Sequence, residues 1–173
     1  MLKTLFLATI LSTVLCVSST LACGCTEIGQ PLADKLEWAL KNSAGVFYGK
    51  VDRFVWLTGV PTPFVVDDMK FDPATAKTKT AVFTVERWWK GDSFDPEALV
   101  VTDEFKYGDG YGGGTSCDYG FEQGKTYLVF ATKRGKYLTT HSCDLTRQEN
   151  QSKEIRDLLG EGKPPVVKPT TSR

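Results

Sequence analysis

The chain has 173 residues, 41% hydrophobic and 12% aromatic, with 21 basic and 21 acidic side chains. That length suits one domain able to bury its own core, and a net charge of zero lacks the electrostatic footprint of a nucleic-acid binder. A single histidine excludes a multi-histidine metal centre, and five cysteines are too few for a disulfide-dense miniprotein.

Residues 1–22 read as a secretory signal peptide. Lys3 supplies a positive start, Leu5 to Val17 is a nearly continuous apolar run, and small residues lead to Ala22. The apolar run is about 13 residues, short of the roughly 20 that a spanning helix needs. Lipid attachment at Cys23 is disfavoured because Thr20 stands where such sites require an aliphatic residue. The expected product is a monomeric protein beginning at Cys23, extracellular or periplasmic, with no membrane span. Cys16 leaves with the signal, so four cysteines remain: Cys23, Cys25, Cys117 and Cys143. An even count in a secreted chain points to two disulfides. A Cys23–Cys25 bond would close a strained ring, so two long-range pairings remain. Either one clamps the N-terminus to two points late in the chain.

Pro31 to Asn42 reads as a helix, with Leu32, Leu36, Ala39 and Leu40 on one face. Five strands follow at Val46–Trp56, Thr78–Trp89, Leu99–Asp103, Thr126–Thr132 and Lys136–His141, rich in β-branched and aromatic residues. With no βαβ alternation, they suggest a small antiparallel barrel. Gln151 to Leu159 gives a closing helix, with Ile155, Leu158 and Leu159 on its apolar side and Gly160 at its end. Residues 161–173, with Lys163-Pro164-Pro165 and Lys168-Pro169, read as an unpacked tail. The long connection between Trp56 and Thr78 carries Pro61, Pro63 and Pro73. Its Asp67, Asp68 and Asp72 do not follow calcium-loop spacing and read as a solvated acidic turn.

Four motifs carry less than they promise. Gly108-Asp109-Gly110-Tyr111-Gly112-Gly113 fits a dinucleotide fingerprint formally, but no helix opens after it, so it reads as a flexible loop. His141 beside Ser142 lacks a nucleophile elbow and reads as a half-exposed strand histidine. Trp88 and Trp89 alternate, so one enters the core and the other faces outward. Asn150 opens a glycosylation sequon and otherwise reads as a helix cap. No acid–base or nucleophilic constellation stands out, so an enzyme is not expected.

The residues in order resemble the inhibitory domain of the tissue inhibitors of metalloproteinases and the wider netrin-like group. The match rests on Cys23-Gly24-Cys25, on Val46-Phe47-Tyr48-Gly49-Lys50-Val51, and on Trp89-Lys90-Gly91. It continues with Cys117-Asp118-Tyr119 and with Leu138-Thr139-Thr140 leading to Cys143. The resemblance spans residues 23–160. It implies a five-stranded OB barrel with flanking helices and the pairings Cys23–Cys117 and Cys25–Cys143. It also implies inhibition of a zinc metalloproteinase, with the α-amine and carbonyl of Cys23 on the protease's zinc. Gly24, Cys25 and Thr26 would then contact the protease. No cofactor of its own is expected. The chain departs from that family in three places. Gly24 offers no side chain to the protease's specificity pocket, Thr26-Glu27-Ile28 replaces an apolar, proline-containing segment, and the further cysteines are missing. A netrin-like module that binds another extracellular protein without inhibiting a protease is the alternative.

Overall fold

The computed structural model describes Cys25 and residues 29–61, 75–108 and 111–166. The expected leader, Cys23, Gly24, Thr26, the acidic part of the long connection and residues 167–173 lie outside the described residues. Helix α1 (Leu32–Asn42) leads into β1 (Gly45–Thr58), β2 (Ala76–Lys90) and β3 (Glu97–Tyr107). Then come β4 (Tyr111–Gly113), β5 (Thr126–Arg134), β6 (Tyr137–Thr139) and β7 (Arg147–Gln148). A 3-10 turn at Glu149–Gln151 and helix α2 (Lys153–Leu159) finish the regular structure. No helix among the described residues is long and apolar enough to cross a membrane.

The strands close on themselves. Pairing runs β1-β2-β3-β6-β5 and returns from β5 to β1, a ring of five strands. Four of these pairings are antiparallel, but β3 and β6 run parallel through Val100–Leu138 and Val101–Thr139. The all-antiparallel expectation therefore fails at this seam. The chain reaches β6 from β5 by a tight turn at Gly135, so β6 lies antiparallel to β5 and runs in the same sense as β3.

Residues 45–49 of β1 and 127–131 of β5 are buried on both faces. Inside the ring, Phe47, Phe83, Val100, Tyr127, Val129 and Trp88 form one apolar cluster. Phe47 meets the Phe83 ring edge-on at 5.2 Å between centroids, and Phe83 meets Phe121 at 5.1 Å. Outside it, Val46, Tyr48, Leu128 and Phe130 pack under Leu36 and Ala39 of α1 and Ile155 of α2. Successive residues on a strand point to opposite faces. The unbroken runs Val46-Phe47-Tyr48 and Tyr127-Leu128-Val129-Phe130-Ala131 therefore follow from burial on both sides. β1 lies close against β2 at Gly49: a Cβ there would sit 2.7 Å from the Thr84 carbonyl oxygen. Register shifts that leave out Trp89 and Glu86 in β2 and Asp52 in β1 let the two long strands curl together.

α1 buries Leu36 and Ala39 as its periodicity requires, with Leu32 and Leu40 partly covered. Its C-terminal carbonyls are held by the Lys90 ammonium, 2.6 Å from the Leu40 oxygen. Trp88 enters the ring and donates its indole N–H to the Asp95 carbonyl at 2.9 Å. Trp89 points the other way but is partly covered by the helix-side cluster and donates to the Gly160 carbonyl. In α2, only Ile155 is fully buried and Leu158 is 54% exposed, so the expected three-residue apolar face is narrower. The residue capping α2 is Ser152, and Asn150 lies exposed in the preceding 3-10 turn.

Two segments read as unstructured are paired. Tyr111–Gly113 of the glycine cluster forms β4 against Phe105–Tyr107. Beyond Gly160, the Lys163 and Trp88 backbones exchange hydrogen bonds of 2.7 and 2.8 Å, and the Val166 amide donates to the Phe94 carbonyl. The unpacked tail is thus corrected for residues 161–166. Three backbone bonds of roughly 0.5–1.5 kcal/mol each, less the entropy of ordering the segment, contribute about 2 kcal/mol. Truncation after Gly160 is expected to lower Tm by roughly 4–8 °C in a calorimetric melt. An unchanged Tm would mean that residues 161–166 do not brace the ring.

Candidate functional site at the cysteine-anchored edge

The sequence signal with chemistry in it is Cys23-Gly24-Cys25, and its second cysteine is tied to the fold. Cys25 is bonded to Cys143, with the two Cα atoms 5.2 Å apart and 118 residues between them in sequence. This agrees with one of the two bonds implied by the family resemblance. Cys23, Gly24 and Thr26, the other expected contact residues, lie outside the described residues, and so does the Cys23–Cys117 bond. Cys117 is itself engaged.

Cys143 lies in a turn between β6 and β7 that side chains hold from beneath. The Thr140 hydroxyl donates to the Phe130 carbonyl and lies 2.8 Å from the Thr146 hydroxyl, which accepts the Phe130 N–H at 2.9 Å. Both threonines are buried, so these hydroxyls replace the ladder bonds that β5 loses at this point. The Asp144 carboxylate accepts the His141 N–H at 2.8 Å, and Arg147 donates to the Asp144 and Thr146 carbonyls.

The segment bearing Cys117 runs alongside this turn. The Ser142 N–H donates to the Cys117 carbonyl at 2.8 Å, and Asp118 and His141 form a β-bridge. Cys117 and Cys143 therefore sit on neighbouring strands of chain. The segments that carry Cys117 and Cys143 are thus side by side.

Beneath the anchors lies a polar cluster that sequence reasoning missed. Asp103 of β3 accepts hydrogen bonds from Thr115 at 2.7 Å and from the Arg134 guanidinium at 2.5 Å. Both charges are largely removed from water, with 4% and 12% side-chain exposure. His141 Nε2 lies 3.9 Å from Asp103, and its Nδ1 lies 4.0 Å from Asp144; the histidine is 40% exposed. The hydroxyls in this cluster donate to the carboxylates, Thr115 to Asp103 at 2.7 Å and Thr140 to Asp144 at 3.1 Å. Burial would raise the Asp103 carboxyl, but the Thr115 and Arg134 bonds and the Arg134 charge outweigh it and hold the group below the usual carboxylate range. Burial pushes the Asp118 carboxyl up to about 6; the Asp103 amide opposes this and the Asp103 charge adds to it. The only sequence hint of this cluster is a charged Asp103 closing the apolar strand run from Leu99.

No protein-family model matches the chain, and no curated protein matches it.

Removing the Asp103 carboxylate leaves Arg134 buried and unpaired. Asp103→Ala is expected to cost about 3–5 kcal/mol in chemical denaturation. Asp118 acts through pH. Its folded pKa lies above the ordinary 3.8, so its contribution to stability is complete below that value. It is lost as pH rises through about 6. Asp118→Asn should therefore gain stability relative to the native protein as pH rises from about 4 to about 7. A stability difference independent of pH would show that Asp118 does not titrate in this window.

Proposed function

We propose that the protein is a secreted inhibitor of zinc metalloproteinases that presents Cys23 to its target. The observation that carries this reading is the Cys25–Cys143 bond, which fastens the Cys-Gly-Cys segment to the folded body. The ring order, with β3 and β6 parallel, supports reading the sheet as a five-stranded OB barrel of the netrin-like kind. The bridge between Asp118 and His141 supports pairing Cys23 with Cys117, since both anchors then serve one short edge.

The chemistry follows from the terminus. A catalytic zinc keeps an open position, normally held by water, which a bidentate N,O ligand displaces. The α-amine has an ordinary pKa of about 7.7–8.0 and loses its proton readily when a metal competes for the lone pair. The Cys23 carbonyl supplies the oxygen. A terminus ordered before binding loses less entropy on association. The zinc belongs to the protease, so an inhibitor with one histidine can still act on a metal centre.

Gly24 favours the second reading, a netrin-like module that binds an extracellular protein without inhibiting a protease, because it has no side chain to fill a specificity pocket. Adding one residue before Cys23 converts the amine to an amide nitrogen, a poor zinc donor, and is expected to abolish inhibition with the fold unchanged. Gly24→Leu should tighten binding to proteases with a deep apolar pocket by about 1–3 kcal/mol, or roughly 5- to 150-fold. Inhibition constants across several zinc proteases test both. Undiminished inhibition by the extended protein would overturn chelation through the amine. No inhibition by either the native or the Gly24→Leu protein would favour the binding module.

A further inference from the structure

Strand β1 runs on past its pairing with β5. That pairing ends at Lys50, and the Val51 backbone then exchanges hydrogen bonds with Gly124 and Lys125. From Arg53 to Thr58 the strand keeps an unbroken register with β2. Among the described residues, no other backbone pairs with the opposite edge of this segment.

An unpaired edge presents N–H and C=O groups that another strand can meet, and native edges are shielded by proline, charge or a bulge. Here the register shift at Asp52 lies before the segment, and the turn at Gly59, where φ is 69°, lies after it. Between them, Phe54-Val55-Trp56-Leu57 carries neither a charge nor a proline. Phe54, Val55 and Leu57 are half-buried, and Trp56 is 37% exposed. Of the large apolar side chains exposed among the described residues, Trp56 alone lies on a strand.

The chemistry of the segment selects its partner. Phe54 and Trp56 share one face, with the Lys79 ammonium 4.8 Å from the Phe54 ring centroid and the Lys106 ammonium 4.2 Å from that of Trp56. Val55 and Leu57 share the other face. The cations flanking the middle of the segment are engaged, Lys79 with Glu104 and Arg53 with Asp52 and Glu97. An uncharged strand that alternates aromatic and aliphatic side chains therefore fits better than an acidic one. β1 is itself such a strand. In an antiparallel pair, residues that face each other lie on the same side of the sheet. A two-fold axis at Val55 sets Phe54 of each copy opposite Trp56 of the other, and Val55 opposite its own counterpart. Arg53 then meets Leu57, so no like charges face each other.

We propose that two copies of the chain associate edge to edge through Arg53–Leu57 of β1, antiparallel about a two-fold axis at Val55. The ring of each copy stays closed, because its pairings do not use this edge. So short a strand contact is smaller than a permanent interface, and the pair is weak and concentration-dependent. The monomer expected from the sequence is the dilute form. None of this rests on the reading of Cys23 as a zinc ligand.

Sedimentation equilibrium of the purified native protein over a wide concentration range tests this, with hydrogen exchange on the same samples. The mean mass should climb reversibly towards that of a dimer and stop there. Alternate amides of residues 53–57 should gain protection with concentration, while those of β5 stay unchanged. Val55→Lys and Val55→Glu each set like charges opposite at the axis and should lower the association constant at least about tenfold. Mixing the two variants should restore a dimer, because lysine then faces glutamate. Leu158→Lys, on the exposed side of α2, should change nothing. A native protein that stays monomeric at every concentration would overturn the second copy and leave the edge to a foreign strand. Growth beyond a dimer, dimers that survive both Val55 substitutions, or a mixture of well-folded variants that stays monomeric would each overturn it as well. Where a Val55 variant does not fold, concentration-dependent protection of residues 53–57 in the native protein decides alone.

Discussion

Strand β1 has to satisfy two neighbours and two apolar faces at once. From Val46 to Lys50 it pairs with β2 along one edge and with β5 along the other. Phe47 points into the ring, while Val46 and Tyr48 point out beneath the helices. Val46 to Gly49 are buried and Lys50 is exposed, and the backbone of β2 comes too near Gly49 for any side chain. The helices dock on the outer side of this strand and the ring core forms on its inner side. Damage here would therefore reach both clusters, whereas damage at Leu158, which lies exposed on α2, would reach neither.

Much of this was legible in the chain. The five strands are marked by β-branched and aromatic runs, and the α1 face by the spacing of Leu36 and Ala39, since both signals come from burial that each residue experiences locally. Strand ends were not legible. Thr58, Ala76 and Tyr107 extend their strands because a partner lies opposite, which composition does not announce. The glycines before Cys117 misled for a related reason. A Cβ at Gly112 would come within 2.9 Å of the Phe105 carbonyl oxygen, so glycine there serves close pairing with β3. The Lys163–Trp88 pairing was hidden by the prolines that follow Lys163, although the bonds use the lysine's own amide and carbonyl.

The cysteine-anchored edge was half legible. Counting cysteines narrowed the pairings, and family resemblance chose between them for Cys25. What lies beneath could not be read, because Asp103 and Arg134 are 31 residues apart and meet only through the ring. A buried ion pair of this kind adds little to stability compared with an apolar pair of equal volume, but it strongly penalises arrangements that separate it. Its place, below the segments bearing Cys117 and Cys143, suits a role in fixing how those segments lie. The Asp118–His141 bridge then passes that order to the surface.

Ring closure also bears on when the protein can fold. β1 meets β5 through Gly45 and Ala131, 86 positions apart, and Cys25 meets Cys143 over a still longer span. A chain delivered N-terminus first holds one edge of β1 unsatisfied until almost the whole ring sequence has arrived. The nascent N-terminal half therefore has no stable place to stop. Folding is set by late, non-local pairing, and such topologies are slow. The same delay leaves the early strands without their closing partner while the rest of the chain emerges. It also means that the Cys25 thiol spends its early life without its native partner.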